Sequence, residues 1–297
     1  MIPFVRDIKF EYGACDRLTP LIRRVVAKNP GPFTFTGTGT YIVGNGEVAV
    51  IDPGPDMDDH LEAILAATAG ERVSHIFVTH NHMDHSPLAR PLAEATGATI
   101  YACAHQGVPT ESEVRLEAGD DRVFTPDVGL CDGGVFKGGD WTIEAIPTPG
   151  HTSNHICYAL LEENALFSGD HVMGWSTTVI SPPDGDMGDY FESLERIKAR
   201  GFATLWPTHG PPVTAPGPFV QAYIDHRRAR EAQILAALAA GHTRIKPMVT
   251  DLYRAVDARL HPAAAHSVMA HMIQLVKEGR VTCDGAPGLD SDYALAG

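Results

Sequence analysis

The segment Thr-His-Asn-His-Met-Asp-His at residues 79–85 constrains this chain more than any other. It concentrates imidazole and carboxylate groups, which suit a transition-metal site and are poor core material: His80, His82, Asp84 and His85. The apolar, β-branched segment 73–78 before it predicts a strand that ends at the cluster. In extended backbone His80 and His82 project to the same side, and the other two groups follow around a turn. A metal site at a strand end is therefore predicted; the alternative is a solvated, histidine-rich loop.

Three polar residues later in the chain are candidates to complete this site. Each follows a strand-like apolar segment and is bracketed by Gly, Pro, Ser or Thr; they are His151, Asp170 and His209. A rigid scaffold commonly presents its chemistry on loops at strand ends. A structural zinc site usually closes all of its positions with protein groups, whereas a catalytic site leaves one for water.

The complete pattern resembles the metallo-β-lactamase superfamily of hydrolases. The pattern is His80-x-His82-x-Asp84-His85, followed in order by His151, Asp170 and His209. Segments 37–44 and 50–54 are similar to the opening strands and first loop of that fold. Segment 148–178 resembles the β-lactamase-like protein 2 branch, which includes an endoribonuclease and lies near the glyoxalase II thioesterases.

The resemblance implies a dinuclear centre in which each ion has three ligands of its own and both share one carboxylate. The implied sets are His80, His82 and His151 for the first ion, Asp84, His85 and His209 for the second, and Asp170 for the bridge. The all-histidine first pair favours two zinc ions per chain, with iron and manganese as alternatives. A hydroxide shared by the two ions is the implied nucleophile.

One residue of the pattern has an implied catalytic role, and others have supporting roles. Asp84 would orient the hydroxide or relay its proton. Asp52, Thr79 and His155 are expected to support the ligands from behind. For Asp52 the alternative is a simple turn role, and for His155 a structural one. His171 directly follows Asp170, so we expect its side chain to point away from the site.

The rest of the chain predicts an α/β fold with a separate helical tail. Strand-like segments lie at 41–51, 73–79, 98–103, 141–146, 156–161, 164–168 and 203–206, and helix-like segments at 57–68, 87–96 and 189–200. Periodicity alone does not distinguish a doubly wound sheet from the four-layer αβ/βα metallo-β-lactamase sandwich that the resemblance implies. The proline-rich segment 210–218 predicts a boundary between a catalytic domain at 1–215 and a helical, winged-helix-like domain at 216–297. Within the tail we expect helices at 219–240, 246–258 and 266–278, and a short strand with a turn at 279–285.

The distribution of apolar, charged and cysteine residues indicates where in the cell the protein is located. The chain lacks a stretch of about 18 apolar residues, so no membrane span is expected. Charges come early in the first residues, which argues against a signal peptide and favours a cytoplasmic protein. The five cysteines are dispersed and lack a CxxC spacing, so we expect reduced thiols and no disulfide framework.

The sequence leaves several hypotheses open for the substrate. The first is hydrolysis of a carbonyl-type bond in a small molecule, namely a thioester, ester or lactone. The alternatives are an endoribonuclease or phosphodiesterase acting on single-stranded RNA, a weak or promiscuous β-lactamase, and a non-enzymatic binding module. Arg227, Arg228 and Arg230 in the tail favour nucleic acid, but the net charge of −14 opposes it. The tail could instead shape the substrate pocket or form a homodimer contact.

Overall fold

Two β-sheets packed face to face form the centre of the molecule. The structure is a computed structural model that describes residues 1–104, 119–254 and 257–297. Within those ranges the first sheet has seven strands, paired in chain order: β1 (Cys15–Arg17), β2 (Ile22–Val26), β3 (Gly39–Val43), β4 (Glu47–Ile51), β5 (Arg72–Phe77), β6 (Thr99–Ala102) and β7 (Val128–Gly129). The second sheet, counted over the same ranges, has five strands in the order β12-β11-β10-β9-β8: β8 (Gly134–Lys137), β9 (Thr142–Pro147), β10 (Ile156–Leu160), β11 (Ala165–Gly169) and β12 (Thr204–Pro207).

Helices cover the outer face of each sheet. They are α1 (Asp58–Ala67) and α2 (Ala89–Thr96) on the first sheet, and α3 (Met187–Arg200) and α4 (Pro216–Ala239) on the second. Strand β10 shows why both faces are covered, because every residue in it is buried. Its Tyr158 packs between the sheets with Phe77, while its Cys157 packs outward with Leu194 of α3. The predicted four-layer α/β sandwich is confirmed.

The predicted single strand at 41–51 is wrong, because it is a hairpin of β3 and β4. Tyr41 pairs with Ile51 in antiparallel register. The turn begins at Gly44, whose backbone has φ 98° and where a Cβ would lie 2.3 Å from the ring of Trp141. Both strands are almost entirely buried and lack alternation, but the turn Gly44-Asn45-Gly46 between them is a hairpin signal that the strand prediction overlooked. The short strands β1, β2, β7 and β8 were not predicted either.

The tail forms a smaller unit with its own apolar core. It contains α5 (Ile245–Leu252), a 3-10 turn (Ala258–Leu260), α6 (His261–Lys277) and a hairpin of β13 (Val281–Cys283) with β14 (Tyr293–Leu295). The helix predicted at 246–258 ends at Leu252, and its residues 255 and 256 lie outside the described residues. Helix α4 contributes Phe219 to the core around the second sheet and Ile234 to the core of the tail. It therefore joins the two units, and the boundary at 215/216 stays a prediction.

The prediction that all cysteines are reduced thiols is wrong, because Cys103 and Cys131 form a disulfide. Strands β6 and β7 pair in parallel, and Leu130 N donates to Ala102 O at 2.9 Å, which brings the next residues side by side with a Cα–Cα distance of 4.5 Å. A separation of 28 residues contains no sequence signal for this pairing. In the part of the chain that the structure describes, each helix is too short or too polar to cross a bilayer.

Candidate metal centre

The candidate ligands converge at one edge of the sandwich because they follow strands that end there. Strand β5 ends at Phe77 and leads directly into the segment 79–85. Asp170 follows β11 immediately, and His209 lies two residues beyond the parallel neighbour β12. His151 lies in the turn between β9 and β10. A bridge between Thr38 and His209 ties the edges of the two sheets together at this point.

The ligand atoms form three overlapping groups in which all atoms lie within 4.8 Å of one another. The groups are His80, His82 and His151; His80, His85 and Asp170; and Asp84, His85 and His209. The first and third match the two sets that the family resemblance implies. Asp170 lies between them, with Oδ1 at 3.5 Å from His209 Nε2 and Oδ2 at 3.7 Å from His85 Nε2. All of these side chains are buried.

The chemistry of the buried atoms fits a divalent metal ion. Four of them have no hydrogen-bond partner among the described residues: His85 Nε2, His151 Nε2, His209 Nε2 and Asp170 Oδ1. Buried polar groups nearly always have a partner, so a cluster of such exceptions calls for one. Imidazole nitrogen and carboxylate oxygen are the donors that zinc, iron and manganese accept in proteins.

The pKa shifts differ between the first ligand group, around His80 and His82, and the third, around Asp84 and His85. Burial and the neighbouring imidazoles lower the pKa of His80 far below its usual value and that of His82 to about 3, so both rings are neutral ligands. For Asp84, burial raises the pKa, but His85 and His209 outweigh it and lower the pKa to about 2. Burial opposes charge on His85, yet Asp84, Asp52 and Asp170 raise its pKa well above 6.5. A cation bound beside Asp84 therefore replaces protons.

Asp52 organises the ligands from the end of β4. Its Oδ1 accepts from Thr79 N at 2.8 Å. Its Oδ2 accepts from Thr79 Oγ1 at 2.9 Å, Thr208 Oγ1 at 2.6 Å and His85 Nδ1 at 2.9 Å. The bond to His85 holds the proton on Nδ1 and directs the Nε2 lone pair towards Asp84 and Asp170. Asp52 therefore lies behind the candidate ligands, and its backbone φ is 49°.

Thr79 and His155 also contact the ligands. Because the Thr79 hydroxyl donates to Asp52, its oxygen accepts from His80 Nδ1 at 3.0 Å, which leaves His80 Nε2 unprotonated. His155 Nε2 accepts from the backbone N–H of Asp170 at 3.2 Å, and its Nδ1 donates to Thr148 Oγ1 at 2.9 Å. The ring occupies the space where a Cβ on Gly169 would be, 2.6 Å from His155 Nε2.

Several contacts of the site were missed from the sequence. The His151 Nδ1 contacts the carbonyl of Val179 at 2.7 Å, and His82 Nε2 lies 3.7 Å from a carboxylate oxygen of Asp120. Thr208 directly precedes His209 as Thr79 precedes His80, and this repeated Thr-His pair could have identified it. The carbonyl of Val179 belongs to the backbone and has no residue-type signature. His171 belongs to none of the ligand groups, and its ring packs against Tyr190.

Comparison with known proteins identifies the family to which this chain belongs. The model of the Metallo-beta-lactamase superfamily matches residues 34–209. The chain belongs to the metallo-β-lactamase superfamily. The model of the Beta-lactamase associated winged helix domain matches residues 245–288, so the predicted winged-helix tail of this superfamily member is confirmed.

Relatives of this metallo-β-lactamase superfamily member carry related names. It is 31% identical to a Beta-lactamase-like protein 2 homolog of Caenorhabditis elegans, over 90% of this chain and 88% of that protein. It is 35% identical to an Atrochrysone carboxyl ACP thioesterase of Aspergillus fumigatus, over 75% of this chain and 66% of that protein. A Beta-lactamase domain protein from Burkholderia ambifaria has the same fold, with a TM-score of 0.80 and 21% identity over 99% of this chain and 97% of that one. The protein is a metal-dependent hydrolase.

Proposed function

We propose that this hydrolase is a dizinc thioesterase, which cleaves a carbonyl-type bond in a small substrate. The observation that carries the proposal is the convergence of seven buried candidate ligands into linked groups, four of whose atoms have no hydrogen-bond partner among the described residues. A decayed binding module would be expected to have lost some of them. Relatives named as thioesterases support a thioester over an ester or a lactone.

The proposed roles follow from the contacts. His80, His82 and His151 would hold one zinc ion, Asp84, His85 and His209 the other, and Asp170 would contact both. Bound zinc would supply a water of lowered pKa, near 7 in place of about 15.7, and would polarise the substrate carbonyl. Asp52 holds His85 in the tautomer that the site needs, and the backbone N–H of Asp170 is held by His155.

Asp84 is the residue that we assign to proton transfer. Its Oδ2 lies 3.1 Å from His209 Nε2 and its Oδ1 lies 3.7 Å from His85 Nε2, so both oxygens face the centre. Its pKa of about 2 keeps it a carboxylate at neutral pH. A carboxylate in that position can accept a hydrogen bond from water and take its proton during attack.

Metal analysis and a substrate panel test the proposal. Zinc-replete protein should hold two zinc ions per chain and should hydrolyse a short acyl thioester faster than a lactone, a β-lactam or a labelled single-stranded RNA. Asp84→Ala should abolish the thioester cleavage, whereas Asp140→Ala, a substitution in an exposed turn, should not. Less than one bound ion per chain would overturn the metal assignment. Preferential cleavage of the RNA would replace the thioesterase by a phosphodiesterase, and cleavage that persists in Asp84→Ala would point to a contaminant.

A further inference from the structure

A cavity lies beside the metal centre, between segment 173–179 and the helices α4 and α6. Its volume is about 200 Å³, and its walls include Trp175, Thr178, His226, Arg227 and Tyr253. Two hydrogen-bond contacts connect one wall of the cavity to the metal centre. Thr178 Oγ1 donates to the carbonyl of Asp170 at 2.8 Å, and the next residue supplies the carbonyl that contacts His151. A group bound in this cavity would therefore be close to the reacting bond.

Arg227 brings a buried positive charge to this cavity. The residue is only 4% exposed. Its guanidinium donates to the carbonyl of Thr178 and lies 5.3 Å from the ring centroid of Tyr190. Its Nε has no partner, and no carboxylate of residues 1–104, 119–254 or 257–297 forms an ion pair with it. By contrast, Arg228 on the same helix is exposed and lies 3.8 Å from Glu195.

Within the described ranges of the chain, the groups around Arg227 are cationic or neutral. Arg230 lies 4.0 Å from the ring centroid of Tyr253 and donates to Gln233 Oε1 and to the carbonyl of Leu252. Both ring nitrogens of the buried His271 lack partners among the residues that the structure describes. Leaving a cation buried without a counter-charge costs several kcal/mol. In a chain with a net charge of −14, such a site points to an anionic ligand.

This placement also changes the interpretation of the basic run in the tail. The sequence left nucleic acid open as a partner of Arg227, Arg228 and Arg230. Arg227 faces inward, and Arg230 is half-buried against Tyr253, so the run does not form an exposed basic face. The charge of Arg227 therefore lies at the inner cavity, and only Arg228, beside Glu195, is exposed to an external partner.

We propose that this cavity receives the distal carboxylate of a dicarboxylic acyl thioester, with Arg227 as its counter-charge. The inference rests on the proposed thioesterase function and names its substrate class. The cavity is smaller than the roughly 300–1,000 Å³ of a site that holds a whole ligand, which suits one end of an acyl chain. One guanidinium balances the single charge of a carboxylate, whereas a phosphate monoester carries a charge of about −1.5 to −2 at pH 7. In the reaction the C–S bond breaks, a C–O bond forms with water, and the thiol leaves with a proton.

The test is the ratio of kcat/KM for a glutaryl thioester to that for a butyryl thioester. Zinc-replete wild-type protein should prefer the glutaryl thioester. Arg227→Met should lower the ratio by roughly 30-fold or more, the loss expected when one partner of a buried charge pair is removed. Arg227→Lys should retain more of the preference than Arg227→Met, and Arg228→Met should leave it unchanged. An equal loss on both substrates, or no preference in the wild-type protein, would overturn the proposal.

A binding experiment without turnover separates this inference from the proposed function. Glutarate should bind the wild-type protein more tightly than butyrate in isothermal titration calorimetry, and Arg227→Lys should bind it more weakly while Arg228→Met does not. If glutarate binds in this way but no thioester is cleaved, the thioesterase function fails and the carboxylate site stands. If thioesters are cleaved without an acidic preference and glutarate does not bind, the site alone fails. Inorganic phosphate that binds more tightly than glutarate would also overturn the carboxylate assignment.

Discussion

Asp52→Asn should weaken the binding of the metal ion beside Asp84 without unfolding the protein. Asp52 Oδ2 accepts three hydrogen bonds, and an amide NH₂ in that place can accept none of them. The hydroxyls of Thr79 and Thr208 can rotate to accept from the new amide. His85 Nδ1 can accept a hydrogen bond from it only if the ring proton moves from Nδ1 to Nε2. The proton would then occupy the lone pair that binds the metal.

The structure also indicates the size of the effect. Loss of a supporting partner of a metal ligand weakens metal affinity by about 10- to 100-fold, equivalent to roughly 1.4–2.7 kcal/mol. The asparagine oxygen can still accept the hydrogen bond from the backbone N–H of Thr79, and the substitution preserves side-chain volume. We therefore expect the metal-free protein to lose only about 1–3 kcal/mol of unfolding free energy, the typical cost of one or two altered buried bonds.

The assay is dialysis of zinc-loaded protein against graded chelator buffers, followed by counting of the bound zinc. The variant should release one ion at a chelator concentration at which the unaltered protein keeps two. Asp140→Asn is the matched control, because Asp140 accepts from Asn45 in an exposed turn away from the centre. A variant that keeps both ions as tightly as the wild-type protein would refute the tautomer argument. Simultaneous loss of both ions would show that Asp52 supports the whole centre instead.

Further predictions concern the other contacts of the fold and the site. Gly169→Ala should reduce zinc content and turnover together, because its Cβ would lie 2.6 Å from His155 Nε2 and 2.9 Å from the Cβ of Thr79; an active, fully loaded variant would contradict this. A thiol assay on denatured protein should find three free thiols before reduction and five after it, and Cys131→Ser should lower the unfolding free energy by about 3–4 kcal/mol for a loop of this length, which urea titration can measure. Between pH 8 and pH 6 the affinity for the ion beside Asp84 should fall more steeply than that for the ion beside His82. The raised pKa values of His85 and His209 mean that protons compete there, whereas His82, with its pKa of about 3, stays neutral; equal pH slopes in metal titrations would contradict it.

Much of the architecture was predictable because its pattern is local. The apolar segment before residue 79 predicts β5, and the acidic residues at the start of α1 agree with its position. The hairpin of β3 and β4 was also predictable, because Asn45-Gly46 between apolar segments is a turn signal; the absence of alternation in the buried strands led to one long strand being predicted instead. The disulfide escaped prediction because a parallel strand pair, and not the spacing of Cys103 and Cys131, brings the two thiols together.

The sequence by itself determined the chemistry of this protein: which side chains can hold metal, in what order they occur, and that each follows a strand. Residue type and local spacing are sufficient for this, because ligand preference depends on the donor atom and strand-end placement on local pattern. Only the tertiary structure decided which charges are compensated. Asp52 and His85 are 33 residues apart yet share a bond of 2.9 Å, while Arg227 is buried among residues that give it no counter-charge. Burial and pairing depend on contacts between distant segments, which local residue patterns do not specify.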